Sequence, residues 1–306
     1  MSRQPGRESP VGRVGQAGRV GRVGQVGREG QVGQVGSTPE REGFSRASGR
    51  VGQVVQVGLL GLALALLSLD VRAADNARQI IEEAQKRTDA RSQRYEGLLQ
   101  VFDHNGRISD KRWTLERLGS HGQSKVVLRF TLPAEVKGVA LLVVNHRDRA
   151  SDQWMWTPAI ERDRRIALQD RSTRFFGTDF SFEDLEERDA DQYEYALAGE
   201  EAVDGTACWK IQSTPRESKS SQYTRSIAWV RKDNYAFARI ESYVKDLAVR
   251  RLNYSSFQNV QGIWTARLLE MSDLKRGTRT RLTLEKLEYN VPLKDEDFTL
   301  QAIRRQ

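Results

Sequence analysis

The densest unusual sequence runs over residues 130–188, and the interactions its aromatic and charged residues can make are non-covalent. Trp154 and Trp156 stand two apart in Trp154-Met-Trp-Thr-Pro-Ala-Ile-Glu-Arg162. On a strand they share one face, with Pro158 just beyond, as a cavity wall or rim or as ordinary aromatic core. Trp113, Leu128, Phe130, Phe175, Phe176 and Phe180 complete the candidate lining of an apolar cavity. Arg162, Arg164 and Arg165 carry guanidinium forks suited to a phosphate or carboxylate headgroup at its mouth, or to a solvated strand face. Ser181-Phe-Glu-Asp184 has capping-box spacing with Asp in place of Glu or Gln, and Phe180 and Leu185 are placed as a hydrophobic staple. This predicts a short helix start, with Gly177 permitting a sharp approach and Asp179 bonding nearby amides or Arg174.

Covalent chemistry has no visible apparatus. His104, His121 and His146 stand near expected turns or strand ends, without a second ligand type at metal spacing. The sequence contains no Gly-x-Ser-x-Gly elbow, phosphate loop or His-Glu-x-x-His, and its paired acids, such as Glu82-Glu83 and Glu200-Glu201, suit solvated surfaces. Cys208, the single cysteine, sits in Thr206-Ala-Cys-Trp-Lys-Ile and reads as a buried, inert thiol on a strand. The expectation is a protein without enzymatic activity, metal or cofactor.

Upstream of this region the chain carries a leader. Val57–Leu69 is an uncharged apolar run ending at Asp70-Val-Arg-Ala-Ala, with Val71 and Ala73 at the −3 and −1 positions of a signal-peptide site. Cleavage is predicted after Ala73, with the signal peptide spanning 51–73. The apolar core is short for a spanning helix, although uncharged residues reach back to Val51. No cysteine follows it, so the product is expected in the periplasm without a lipid anchor. Residues 1–50 contain Val-Gly-Gln/Arg repeats with no face to bury, and read as a disordered extension or an upstream misassigned start.

The formal net charge of +8 falls to about +3 over 74–306, where 39 basic residues meet 36 acidic ones. No field of one sign is left to condense on a polyphosphate, so nucleic acid is not an expected partner.

Within 74–306, taken as a single domain, Ala77, Ile80, Ile81, Ala84 and Thr88 recur at helical spacing across Asp75–Arg91. From Tyr95 the pattern switches to alternation in short runs, giving thirteen candidate strands from Glu96–Asp103 to Arg279–Tyr289. Asn105-Gly106 and Asp204-Gly205 suit type I′ hairpins, and Asp233-Asn234 tolerates positive φ, so an antiparallel meander is expected. A one-sided apolar sheet needs a cover, supplied by the first helix and the segments near 134–137 and 178–188. After Pro292, Lys294–Ile303 reads as a short helix docking Phe298 on the sheet.

Trp156-Thr-Pro-Ala-Ile-Glu-Arg162 followed by Phe175-Phe-Gly-Thr-Asp-Phe-Ser-Phe-Glu-Asp-Leu185 resembles the LolA/LolB-like outer-membrane lipoprotein-sorting protein family. It resembles specifically the branch with Trp/Tyr-x-Pro-Ala-x-x-Arg and Phe-x-Gly-Ser-Asp-Phe-x-Tyr-Glu-Asp-Leu. Thr178 replaces the usual Ser and Phe182 the usual Tyr. The resemblance spans roughly 95–300. It implies a mainly β (α+β) fold, an open, strongly curved antiparallel sheet forming an incomplete barrel, with helices covering the concave face. It also implies a carrier of lipid or lipoprotein acyl chains, with an inner-membrane lipid exporter and an outer-membrane acceptor as partners. The other class left open is an envelope-stress sensing or interaction module similar to RseB/MucB-like proteins.

Overall fold

The structure is a computed structural model, and it describes residues 76–305. The 1–50 extension, the 51–73 leader and the Ala73 cleavage site lie outside the described residues.

Helix α1 (76–87) forms where the sequence places one apolar stripe: Ala77, Ile80, Ile81 and Ala84 are all buried. Arg78 to Glu82 and Arg87 to Glu83, both at 2.7 Å, pair one turn apart on its solvent side. No helix among the described residues is long and apolar enough to cross a membrane.

Thirteen strands follow. The first six are β1 (Ser92–Phe102), β2 (Ile108–Ser120), β3 (Gln123–Leu132), β4 (Ala140–Val144), β5 (Asp152–Thr157) and β6 (Arg162–Arg165). The rest are β7 (Tyr193–Val203), β8 (Thr206–Pro215), β9 (Arg225–Arg231), β10 (Phe237–Val244), β11 (Leu247–Val260), β12 (Ile263–Asp273) and β13 (Thr278–Tyr289). A 3-10 turn at Asp295–Phe298 and helix α2 (Leu300–Arg304) close the described chain.

All thirteen strands join one antiparallel sheet in the order 6-5-4-3-2-1-13-12-11-10-9-8-7. The expected meander holds at every link but one. After β6 the chain crosses the inner face through 166–192, starts again at the far edge, and returns until β13 pairs with β1. The sheet is thus open, with β6 and β7 as unjoined edges, and curved around its covered inner face.

Register puts matching residues opposite one another on that inner face: Trp113 faces Phe130, Leu115 faces Leu128, and Leu128 faces Leu141. Gly97 lies at a register shift in β1. A Cβ there would fall 2.7 Å from Trp113 Nε1 and 2.8 Å from the Thr283 carbonyl, so only glycine allows the approach.

The turns divide. Asp204 and Gly205 both have positive φ (49° and 77°), as a type I′ hairpin requires. At Asn105-Gly106 only Gly106 does, because Asp103 accepts the Asn105 and Arg107 amides at 2.8 and 2.9 Å and shapes a different turn. Between β9 and β10 the left-handed residue is Tyr235 (φ 62°), while the Asn234 side chain accepts the Ala236 amide at 2.9 Å.

The outer face is not uniformly wet. Val127, Ala140 and Leu142 are buried there under Phe298 and Ile303, so β3 and β4 are apolar on both faces. Arg129, on the outer face of β3, bonds the Ile303 and Ala302 carbonyls at 3.0 and 3.4 Å and so caps the C-terminal end of α2.

Candidate functional site

Two covers lie on the inner face, and they fit differently. Over β1–β5 and β13 the crossover segment inserts Phe175 and Phe182, with Phe176 and Leu185 beside them, among Trp113, Leu128, Phe130 and Leu141. Phe130 and Phe175 stack at 5.5 Å between centroids, and Phe182 meets Phe175 edge-on at 5.6 Å. Over β7–β12, α1 reaches only part of the apolar face, packing Ile80, Ile81 and Ala84 against Ile211 and Val230.

A cavity of about 240 Å³ remains between α1, residues 183–188 and β7–β12. Ile81, Ile211, Phe237, Ile240, Leu252 and Met271 give it apolar walls; Tyr193, Tyr195, Tyr223 and Tyr254 add rings with hydroxyls. A second space of about 220 Å³ adjoins it, sharing Thr88, Phe237 and Tyr254 and extending past Tyr95, Phe257, Leu269 and Leu284.

The polar part of the wall is built by the crossover. The Ser181 amide donates to Asp184 at 2.8 Å and the Asp184 amide to Ser181 Oγ at 3.3 Å, so the reciprocal box starts a 3-10 turn at Glu183–Leu185. The acids that follow are each tied to donors. Asp184 accepts Tyr223 at 2.8 Å; Glu183 accepts the Gln222 amide at 2.9 Å. Glu186 is paired with Arg171 and with Lys219 at 2.9 Å; Glu187 accepts Arg117 at 2.9 Å. Just upstream, fully buried Asp179 holds the crossover down, accepting Arg174 at 3.0 Å and Thr280 at 2.8 Å.

Burial raises the Tyr195 and Tyr223 hydroxyls well above the ordinary phenol value and pushes Tyr254 up to about 12. These groups are neutral donors at pH 7. Burial also lowers the His121 imidazole from its ordinary value, against the pull of Glu187, so it too lines the cavity uncharged.

None of the eight aromatic and aliphatic residues singled out from the sequence is among those lining this cavity. Trp113, Leu128, Phe130, Phe175 and Phe176 form the closed plug beside it. Phe180 is buried in the crossover, its carbonyl accepting the Phe175 amide at 2.8 Å. Trp154 and Trp156 do share a face, but it is the outer one, against α2 and Leu293. Trp156 borders an open surface recess with Pro158, Glu161, Asp163 and Arg304.

Arg162, Arg164 and Arg165 lie on edge strand β6, away from the cavity lining. Arg164 pairs with Asp170 at 2.8 Å and Arg165 with Asp152 at 2.6 Å, both largely exposed at 59% and 67%.

The residues that do line the cavity had a faint signal. Tyr193-Glu-Tyr195 alternates at period two, as does Arg250-Arg-Leu-Asn-Tyr254. Arg188, within Glu186-Glu-Arg-Asp189, had none, because a charged run reads as a solvated loop. Cys208 is buried as expected, its thiol pushed up by burial. Among the described residues no group of histidines, cysteines and carboxylates is arranged to hold a metal ion.

The described residues thus build an open curved sheet with a cavity on its covered inner face. A family model with the description "-like: Uncharacterized protein" matches residues 122–305, more than half of the chain, and the chain belongs to that family. No curated protein matches this sequence. Among solved structures, a DUF1329 family protein from Desulfovibrio piger is similar at 28% identity and TM-score 0.72, covering 76% of this chain and 99% of that one. A domain from Vibrio parahaemolyticus described as an outer membrane lipoprotein-sorting protein shares the fold at 24% identity and TM-score 0.72, covering 76% of this chain and 100% of that one. A LolA superfamily protein from Nitrosomonas europaea does so at 22% identity and TM-score 0.59, covering 74% and 98%. The resemblance expected from the two motifs therefore holds at the level of the fold: the chain has a LolA-like open curved sheet.

Proposed function

We propose that the protein is a periplasmic carrier that holds acyl chains of lipids or lipoproteins in the cavity between α1 and β7–β12 and moves them toward the outer membrane. The observation that carries this reading is the cavity itself. It is walled by Ile211, Phe237, Leu252 and Met271, it shares Thr88, Phe237 and Tyr254 with the adjoining space, and its acids are all engaged with the protein's own donors.

Removing a methylene from water contributes about 0.8 kcal/mol, so a chain of roughly sixteen carbons would gain about 12 kcal/mol before ordering costs. An apolar groove needs no further chemistry to retain such a cargo. The apolar leader supports export, and an inner-membrane lipid exporter and an outer-membrane acceptor are the partners this role requires.

Native mass spectrometry of the protein recovered from periplasmic extract tests the reading. Adducts with the mass of lipids or acylated peptides are expected, and should disappear on delipidation and return on incubation with phospholipid vesicles. Repeated recovery of empty protein that takes up no acyl chain would sink the proposal.

A further inference from the structure

The geometry points to Arg188 as a receptor for an anionic headgroup, so that the cavity's ligand joins an apolar chain to a carboxylate or phosphate. This inference rests on the carrier reading and narrows it. Arg188 lines the cavity wall, enclosed by protein yet keeping surface toward the empty space.

Its surroundings leave the guanidinium free. Among the described residues it meets no carboxylate oxygen within 4.0 Å. Its contacts are Ser226 Oγ at 3.3 Å and the face of Tyr193, 5.6 Å from the ring centroid. The cavity's other strong cations are paired: Lys219 with Glu186 at 2.9 Å and Arg250 with Asp273 at 2.8 Å. Asp184 is committed to Tyr223 and Ser181 and Glu187 to Arg117, while Asp189 accepts the Asp191 amide at 3.0 Å through one oxygen and makes no ion pair with Arg188.

Burial works against the charge on Arg188, but a guanidinium keeps its proton throughout the neutral range. A buried cation without a counter-ion is costly, and a ligand that supplies the anion relieves that cost. The planar fork matches a carboxylate or phosphate with two parallel hydrogen bonds. Neutral hydroxyls of Tyr195 and Tyr254 stand near as further donors, and the apolar wall from Phe237 to Met271 takes the tail.

Isothermal titration of the purified, delipidated protein with dodecanoate, dodecyl phosphate and dodecanol separates head from tail, with inorganic phosphate alone as a further titrant. Both anionic ligands are expected to bind at least about tenfold tighter than dodecanol, with inorganic phosphate far weaker than dodecyl phosphate. R188Q should bring the ratio between dodecanoate and dodecanol to within about twofold, while R188K retains part of it.

Equal affinity for dodecanoate and dodecanol in the wild type overturns this inference and leaves the carrier reading standing. A preference that survives R188Q, or inorganic phosphate binding as tightly as dodecyl phosphate, overturns it as well. Failure of every chain to bind overturns both. The wild-type ratio needs no variant, so the test decides even if R188Q does not fold.

Discussion

The two halves of the sheet are made of the same kind of strand and end in opposite states. From β1 to β5 the inner face is filled: Phe130 is wholly buried, stacked on Phe175 and closed over by Phe182 and Leu185. From β7 to β12 the inner face offers Ile211, Phe237, Leu252 and Met271, and the cover stops short. Outside β4, which is apolar throughout, strands of both halves alternate apolar with polar residues. The difference lies in what covers them: a loop that packs Phe175, Phe176 and Phe182 into the plug in one case, a three-turn helix with small Ala77 and Ala84 in the other. A strand pattern thus sets which side chains turn inward, while the cover decides whether they become core or cavity wall.

That contrast can be broken at its closed end first. Phe130→Ala should cost about 3 to 5 kcal/mol, since it empties the centre of a packed aromatic cluster, and acyl-chain uptake should survive in the folded fraction. Urea unfolding measures the first and lipid titration the second; a loss below about 1.5 kcal/mol would mean the plug is not close-packed.

The open end should respond the other way. Leu252→Trp adds bulk where there is room, so acyl affinity should fall at least about tenfold while the unfolding midpoint shifts little. If uptake is unaffected, the chain binds elsewhere.

Outside the sheet a smaller effect is expected. Arg129→Met keeps the apolar stem but removes the donors to the Ile303 and Ala302 carbonyls, which should cost about 1 kcal/mol and speed amide exchange in α2. Unchanged exchange would show that Phe298 and Ile303 hold α2 alone.

The smallest effect concerns pH. Because burial lowers the folded-state value of His121 below its ordinary 6.5, the unfolded chain binds more protons in the window just beneath 6.5. Stability from this group is therefore full above 6.5 and falls as pH drops through the folded value; Glu187, Arg117 and Asp89 act on the same ring. His121→Gln should flatten the slope of unfolding free energy in that window. An unaltered slope would assign the acid sensitivity to other groups.

Much of the fold was legible because its signals are local. Ala77, Ile80, Ile81 and Ala84 mark one helix face; each of the thirteen alternating runs overlaps a strand; Ser181 and Asp184 close the reciprocal box. The candidate site was less so. Trp154 and Trp156 drew notice by size, and the structure sets them under α2 on the outer face, while Met155 between them points to the inner plug. Alternation is symmetric, so it says that two residues share a face without saying which face. Arg188 was illegible for a different reason, since a cation among acids looks solvated until each acid is seen to have another partner.

Readable from residue order alone are the strands and the first helix, the lack of a recognisable catalytic motif, and the two motifs that carry the LolA-like resemblance. Tertiary structure alone decided the crossover after β6, the pairing of β13 with β1, and the place where covering ran out. The physical reason is range: hydrophobic period and turn chemistry act over a few neighbouring residues, whereas a cavity is the misfit between surfaces brought together from more than a hundred residues apart, as Ile81 and Ile211 are.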